Sequence, residues 1–129
     1  MNTTELTHNQ LLNDLQQFYG TEAWYRISPF TDVLITDGVK FFAEKCNCFW
    51  LFQDFIGLEG YSESKKQGYT FTVVDVVVDN DHIVNIKFSS DTDRKPYWQA
   101  KQQDLLEYIP IGEYRFYLEH NVILLPSEH

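Results

Sequence analysis

The chain has 129 residues, of which 43% are hydrophobic and 16% aromatic, and it carries 19 acids against 10 bases for a net charge of −9. That length supplies one domain's worth of core, residues 1–129 together, and the composition excludes an intrinsically disordered chain. No apolar run nears the roughly 18 residues of a membrane span, and the polar start Met1-Asn2-Thr3-Thr4-Glu5 lacks the layout of a signal peptide, so the expectation is a soluble, cytoplasmic protein with no membrane partner.

The acidity is spread along the chain, with a net −5 over residues 1–60 and −4 over residues 61–129. Phosphate contacts need clustered Lys and Arg, and the basic residues here never gather beyond the pairs Lys65-Lys66 and Arg94-Lys95, so direct nucleic-acid binding is not expected. A basic protein partner, a cationic ligand or plain solubility remain open. Two cysteines, Cys46 and Cys48, are too few for a disulfide framework and suit a reducing compartment.

A first helix is expected from Thr4 to Phe18, capped by Thr3 or Thr4, with Leu11, Leu15 and Phe18 on one stripe and Gly20 as a stop. Thr21–Phe30 reads as extended or irregular, because Pro29 biases Ser28 away from helix. Val33–Thr36 reads as a short buried strand. Asp37 is expected to cap a second helix in which Val39, Phe42, Ala43 and Cys46 face inward, and Asn47 to close it in a left-handed conformation. A third, deeply buried helix is expected from Phe49 to Gly57, followed by a polar loop over Gly60–Gly68.

The second half reads as strands. Thr70–Val78 and His82–Phe88 alternate and are β-branched. A two-residue loop between them would bury Asp75, which costs several kcal/mol for an unpaired carboxylate, whereas a three-residue loop Asp79-Asn80-Asp81 gathers Val74, Val76 and Val78 with Val84, Ile86 and Phe88. The same argument at the end of the chain gives a loop Glu119-His120-Asn121, with Tyr114, Phe116 and Leu118 facing Val122 and Leu124. Tyr97–Lys101 is expected as a middle strand and Asp104–Gly112 as a crossing segment broken by Pro110. The fold class is therefore α+β: N-terminal helices on one face of a four- to five-stranded antiparallel sheet formed mainly by the C-terminal half.

No familiar catalytic pattern is present: there is no Gly-rich phosphate loop, no G-x-S-x-G elbow and no H-E-x-x-H. Cys46-x-Cys48 lacks the further ligands that tetrahedral zinc needs, and Asp79-x-Asp81 and Asp91-x-Asp93 read as turn chemistry, so no metal and no cofactor are expected. The aromatic residues Trp24, Tyr25, Phe30, Phe41, Phe42, Phe49, Trp50, Phe52 and Phe55 are crowded into the first half. A helix cannot bury Phe41 and Phe42 equally well, which leaves aromatic surface for a partner or a ligand unless the sheet covers it.

Three stretches carry a resemblance: Phe18-Tyr19-Gly20-Thr21-Glu22 with Tyr25-Arg26, then Thr36-Asp37-Gly38-Val39-Lys40 followed by Trp50-Leu51, and Leu124-Leu125-Pro126-Ser127-Glu128. Their order and spacing resemble a family of small bacterial proteins of unknown function, found on chromosomes, plasmids and phages. The resemblance implies a single domain and a mobile-element origin, and implies no activity or catalytic residue. The Cys-Asn-Cys of this chain stands where the family pattern suggests small residues.

The motifs also have a direct reading, in which Asp37-Gly38 starts a helix and Ser127-Glu128 folds back onto exposed N–H groups or pairs with Arg26 or Lys40. The candidate interaction surface is Glu22, Tyr25, Arg26, Asp37, Lys40 and Glu128. The expected function is a non-enzymatic protein-interaction or inhibitory accessory factor whose partner is another protein, basic in one version, with a homodimer as a further option. A small-molecule-binding domain is the alternative, and a hydrolase with carboxylates around Asp37 and Glu128 the third reading.

Overall fold

The computed structural model describes residues 6–91 and 94–129. Thr7 caps the first helix, α1 (His8–Leu15): its side chain accepts from the Gln10 N–H, and Gln10 Oε1 accepts from the Thr7 N–H in return. The helix thus starts later than the sequence suggests, and the expected caps Thr3 and Thr4 lie outside the described residues. It also ends at Leu15, with Phe18 held by a turn whose N–H donates to the Leu15 carbonyl. Two three-residue strands follow, β1 (Trp24–Arg26) and β2 (Leu34–Thr36), and then α2 (Asp37–Lys45). Thr36, not Asp37, is the cap of α2, because its hydroxyl reaches the Val39 N–H. Asn47 adopts the expected left-handed conformation at φ 49°.

From Leu51 to Gly60 the backbone widens into a π-helix and runs on, through a helical Gly60, into α3 (Tyr61–Gln67). The buried residues Leu51, Phe52, Ile56, Gly57 and Gly60 recur every four to five positions, which bonding from i to i+5 places on one face. This corrects two expectations, the helix ending at Gly57 and the polar loop over 60–68. The buried side of α3 amounts to little beyond Ser64, whose hydroxyl bonds Tyr97 Oη at 2.5 Å, so the segment has no apolar stripe to betray it. Gly68 closes α3 at φ 81°.

The strands β3 (Phe71–Val78), β4 (Ile83–Ser89), β5 (Trp98–Gln103), β6 (Gly112–Glu119) and β7 (Val122–Leu124) join β1 and β2 in a seven-stranded mixed sheet of order β1-β2-β7-β6-β3-β4-β5. The α+β class stands, but a sheet of four or five antiparallel strands does not. The N-terminal strands enter it through a parallel pairing, Leu34 with Val122 and Ile35 with Ile123, that no local pattern announces. Tyr97–Lys101 is likewise displaced: β5 is an edge, not a middle strand.

Both hairpins differ from expectation by one position. Val78 pairs with Val84 and Asp75 with Lys87, so the facing set of Val74, Val76, Val78, Val84, Ile86 and Phe88 is as reasoned, yet the loop is Asn80-Asp81-His82 because the Asp79 N–H bonds the Ile83 carbonyl. The left-handed residue is His82, φ 59°, not an Asp or Asn. In the second hairpin Glu119 pairs with Val122, leaving a two-residue turn, His120-Asn121. Ile123 therefore joins Tyr114, Phe116 and Leu118 on the inner face, in place of Val122 and Leu124, because β2 on its other side needs Ile35 beside it.

One hydrophobic cluster joins Leu11, Leu15, Val39, Phe42, Leu51, Phe52 and Ile56 to the inner face of the sheet. Phe42 is its hub, in edge-on contact with Phe52, Tyr114 and Phe116 at ring separations of 5.9, 5.1 and 5.1 Å. Among the described residues no helix is long and apolar enough to cross a membrane.

Candidate functional site

The sequence motifs converge at the start of α2. Asp37 Oδ2 accepts from the Glu22 N–H at 2.8 Å and Oδ1 from Tyr25 Oη at 2.7 Å, while the Asp37 N–H donates to Thr21 Oγ1 at 2.9 Å. These donors hold the Asp37 carboxyl below its ordinary value, the Glu22 N–H most of all, and the hydrogen bond to Asp37 raises the Tyr25 phenol. Lys40 Nζ stands 4.8 Å from the Tyr25 ring centroid and 3.4 Å from Glu44.

On the other side of the same helix start, Glu128 folds back from the 3-10 turn Pro126–Glu128. Its Oε1 accepts from Thr36 Oγ1 at 2.6 Å and from the Leu125 N–H at 2.9 Å, and its Oε2 from the Gly38 N–H at 3.0 Å. A carboxylate is favoured there by the orphan N–H groups and the positive end of the helix. Gly38 is what admits it: a Cβ at that position would lie 2.5 Å from Leu125 Cδ1 and 2.9 Å from Glu128 Oε1.

Three of the six candidate side chains therefore meet, Tyr25 with Asp37 and Lys40, while Glu128 takes the other side of the same helix start. Glu22 contributes its backbone N–H to the cluster, and Arg26 turns away to Asp32 at 3.9 Å. Glu128 takes the N–H groups, the first of the two options open to it. Both cysteines are buried and free, and burial, with the Cys46 thiol beside it, pushes the Cys48 thiol well up, so it is held as a neutral thiol. Among the described residues no group of His, Cys, Asp and Glu is arranged to hold a metal ion. Asp79 Oδ1 accepts from the N–H groups of Asp81 and Ile83, which is hairpin chemistry, and Asp93 lies outside the described residues. Of the crowded aromatics, Phe42 is fully buried and Phe41 packs on Phe18 at 5.3 Å, whereas Phe30 and Trp24 stay exposed.

A second locus escapes the sequence argument. The β5–β6 connection exposes Leu105 by 81%, Leu106 by 67%, Tyr108 by 48% and Ile111 by 43%. Its backbone is nevertheless fixed: Asp104 is buried, with Oδ2 accepting from the Ile109 N–H at 2.8 Å, its carbonyl accepting from the Glu107 N–H, and its own N–H donating to the His82 carbonyl. Ile109 is fully buried, and Tyr114 Oη donates to the Pro110 carbonyl at 2.6 Å. The signal in the sequence is four large apolar residues in a stretch of no helical or strand period, ending at a proline.

Two hollows flank this loop. One, of about 420 Å³, lies between Trp50 and Leu105, Leu106 and Tyr108. The other, of about 780 Å³, is lined by His8, Lys45, Asn47, His82, Glu107 and Tyr108 among others. Asn47, His82 and Glu107 there all have φ between 49° and 59°, and His82 Nδ1 is buried without a hydrogen-bond partner among the described residues.

The chain matches, over residues 9–129, the model of a family described as a family of unknown function (DUF6876), and it belongs to that family. No curated protein and no solved structure matches the chain.

Proposed function

We propose that this member of the family is a non-enzymatic protein-interaction domain, and that its docking surface is the β5–β6 loop. The observation that carries the reading is the pairing of opposites in that loop: Leu105 and Leu106 project into solvent while Asp104 and Ile109 lock the backbone beneath them. Apolar side chains on a mobile loop would collapse inward or move freely. Held outward, they form a preorganised contact that loses little conformational entropy when a partner covers it. Surface-exposed leucines in such a cluster mark interaction sites more often than scattered ones do.

In this reading the α2 cluster is the frame. Asp37 and Glu128 each accept from internal donors through both carboxylate oxygens, and they pin the chain's C-terminal segment and the β1 hairpin to one helix start. The acidity of the chain favours a basic partner through longer-range steering. The test is affinity capture with the tagged protein and with its Leu105→Asp/Leu106→Asp variant. Loss of the same captured species, at unchanged melting temperature, supports the reading, and equal capture by both forms refutes it.

A second reading, a small-molecule site, is favoured by one observation: three left-handed non-glycine residues, Asn47, His82 and Glu107, line the larger hollow. A metabolite thermal-shift screen on the protein and on His82→Ala checks it. A hit abolished by the substitution supports it, and the absence of any hit removes its basis.

A further inference from the structure

The corner that holds the apolar loop also holds an open sheet edge, and the two together specify the shape of what docks. Because β5 ends the sheet, one side of its backbone has no strand beside it among the described residues. Which residues turn that way follows from the ladder. The Asp104 N–H donates to the His82 carbonyl at 2.9 Å, in the same register as Ile83 with Gln103 and Val84 with Gln102. Antiparallel pairs alternate, so Gln102 and Ala100 exchange their bonds with β4, and Gln99, Lys101 and Gln103 turn N–H and carbonyl outward. Gln102 Nε2 reaches the Gln103 carbonyl at 3.3 Å, which leaves Gln99 and Lys101 as the open template.

We infer that β5 takes an extended strand of a partner protein as an eighth, antiparallel strand of the sheet. The inference rests on the interaction reading and names the kind of segment involved. Side chains follow from the pleat. Residues of the added strand opposite Ala100 and Gln102 lie on the helix side, beside the half-buried Trp98 and Trp50 and the hollow under Leu105 and Leu106, and they are apolar. The residue opposite Lys101 lies on the other face, where a carboxylate is its best neighbour. The guest therefore alternates apolar and polar residues around a central Glu or Asp.

A second copy of this chain fits poorly. β5 contains no carboxylate to meet Lys101, and two chains of net charge −9 repel. The edge is also weakly defended for a strand of six residues, with one lysine and no proline as a guard against pairing. That is what a strand reserved for a chosen guest requires.

The probe is a fluorescein-labelled eight-residue peptide alternating valine with threonine and carrying one central glutamate, titrated against the protein by fluorescence anisotropy. Its controls are the same peptide N-methylated at the amides that would face β5, and an isomer with lysine for glutamate. Lys101→Pro is the matching change in the protein: it removes an outward N–H and leaves the β4 ladder intact, so melting is expected to be preserved.

Saturable binding is expected, weakened at least tenfold by N-methylation and by Lys101→Pro, and weaker for the lysine isomer, with the charge preference reversed in Lys101→Glu. No saturable binding, equal binding of the N-methylated peptide, or unfolding of Lys101→Pro overturns the proposal. So does a dimer in sedimentation that Lys101→Pro converts to monomer, since the guest is then a second copy. If lysate capture depends on Leu105 and Leu106 but survives Lys101→Pro, the interaction reading stands and the added strand does not.

Discussion

Replacing Glu128 by Ala removes one carboxylate and three hydrogen bonds, those from Thr36 Oγ1, the Leu125 N–H and the Gly38 N–H. Hydrogen bonds to an ionised acceptor each contribute about 1.5–3 kcal/mol net, but Glu128 is half-exposed and water replaces part of each. With the loss of a helix-start anion, at about 0.3–1 kcal/mol, the expected cost is about 2–3 kcal/mol in all. For a chain of this size that lowers the melting temperature by roughly 6–15 °C. Urea unfolding followed by circular dichroism measures it, through a lower midpoint at unchanged slope.

Gly38→Ala supplies the internal control, since its Cβ meets Leu125 and Glu128 and must displace the same segment. Alone it is expected to cost about 1–3 kcal/mol. Once Glu128 is gone the methyl has less to displace, so the double variant should fall short of the sum by about 1 kcal/mol or more. A cost under about 0.5 kcal/mol for Glu128→Ala, or strict additivity, would refute the account of this helix start.

The remaining predictions concern other parts of the molecule. Gly57→Ala places a Cβ 2.3 Å from the Phe52 carbonyl oxygen and 2.6 Å from Ile27 Cδ1. Because the nearer obstacle is backbone, the π-helix must rewind; a cost of about 3 kcal/mol or more is expected in urea, and a near-neutral result contradicts the wide helix. The Asp37 carboxyl is lowered in the fold, so its contribution is present above the ordinary value of 3.8 and is lost as pH falls through the folded value. Asp37→Asn should therefore flatten the acid limb of the stability profile, and an unchanged limb counts against the cluster. The Tyr25 phenol is raised, so its contribution is present below 10.0 and is lost as pH rises through the folded value, and Tyr25→Phe should flatten the alkaline limb. Asp104→Ala frees the Ile109 N–H, at a cost of about 1–3 kcal/mol, and should speed hydrogen exchange across 105–111 while exchange in β3 stays slow. Cys46 and Cys48 are buried and the Cys48 thiol is raised, so Ellman's reagent should label them only at the rate of unfolding.

The central hairpin is legible in the sequence because one residue, Asp75, decides it. In the fold its carboxylate lies outward and meets Arg115 Nε at 2.8 Å. The energy at stake in burying that carboxylate is large, so the face is determined, whereas turn types differ too little in energy to fix which residue takes the left-handed position. The helix start is visible to within one residue, since Asp37 is expected as the cap that Thr36 supplies, and the return of Glu128 is visible as one of two options, because capping chemistry is local even when its partner is distant.

What stays hidden is whatever depends on packing between remote segments. The pairing of β2 with β7 leaves no trace in either strand, each only three residues long. The π-helix resembles an all-round apolar α-helix until its real period is known, and α3 shows only a serine to the interior. Leu105 and Leu106 look like material for a core, and it takes Ile109 occupying that core to show that they are left outside.

The parallel pairing of β2 with β7 also sets the order in which a newly made chain can assemble. The β1–β2 hairpin and the start of α2 are synthesised early, yet their partners, Ile123 and Glu128, emerge some 90 residues later. Until then a short two-stranded ribbon waits without a neighbour, and such ribbons are marginal in water. The four strands β6-β3-β4-β5 can pair among themselves before that, so the late insertion of β7 between β2 and β6 is the step on which the nascent protein depends. A chain cut before residue 122 lacks the strand that joins β2 to β6, which leaves its first third without a place in the sheet, the form in which quality-control machinery would meet it.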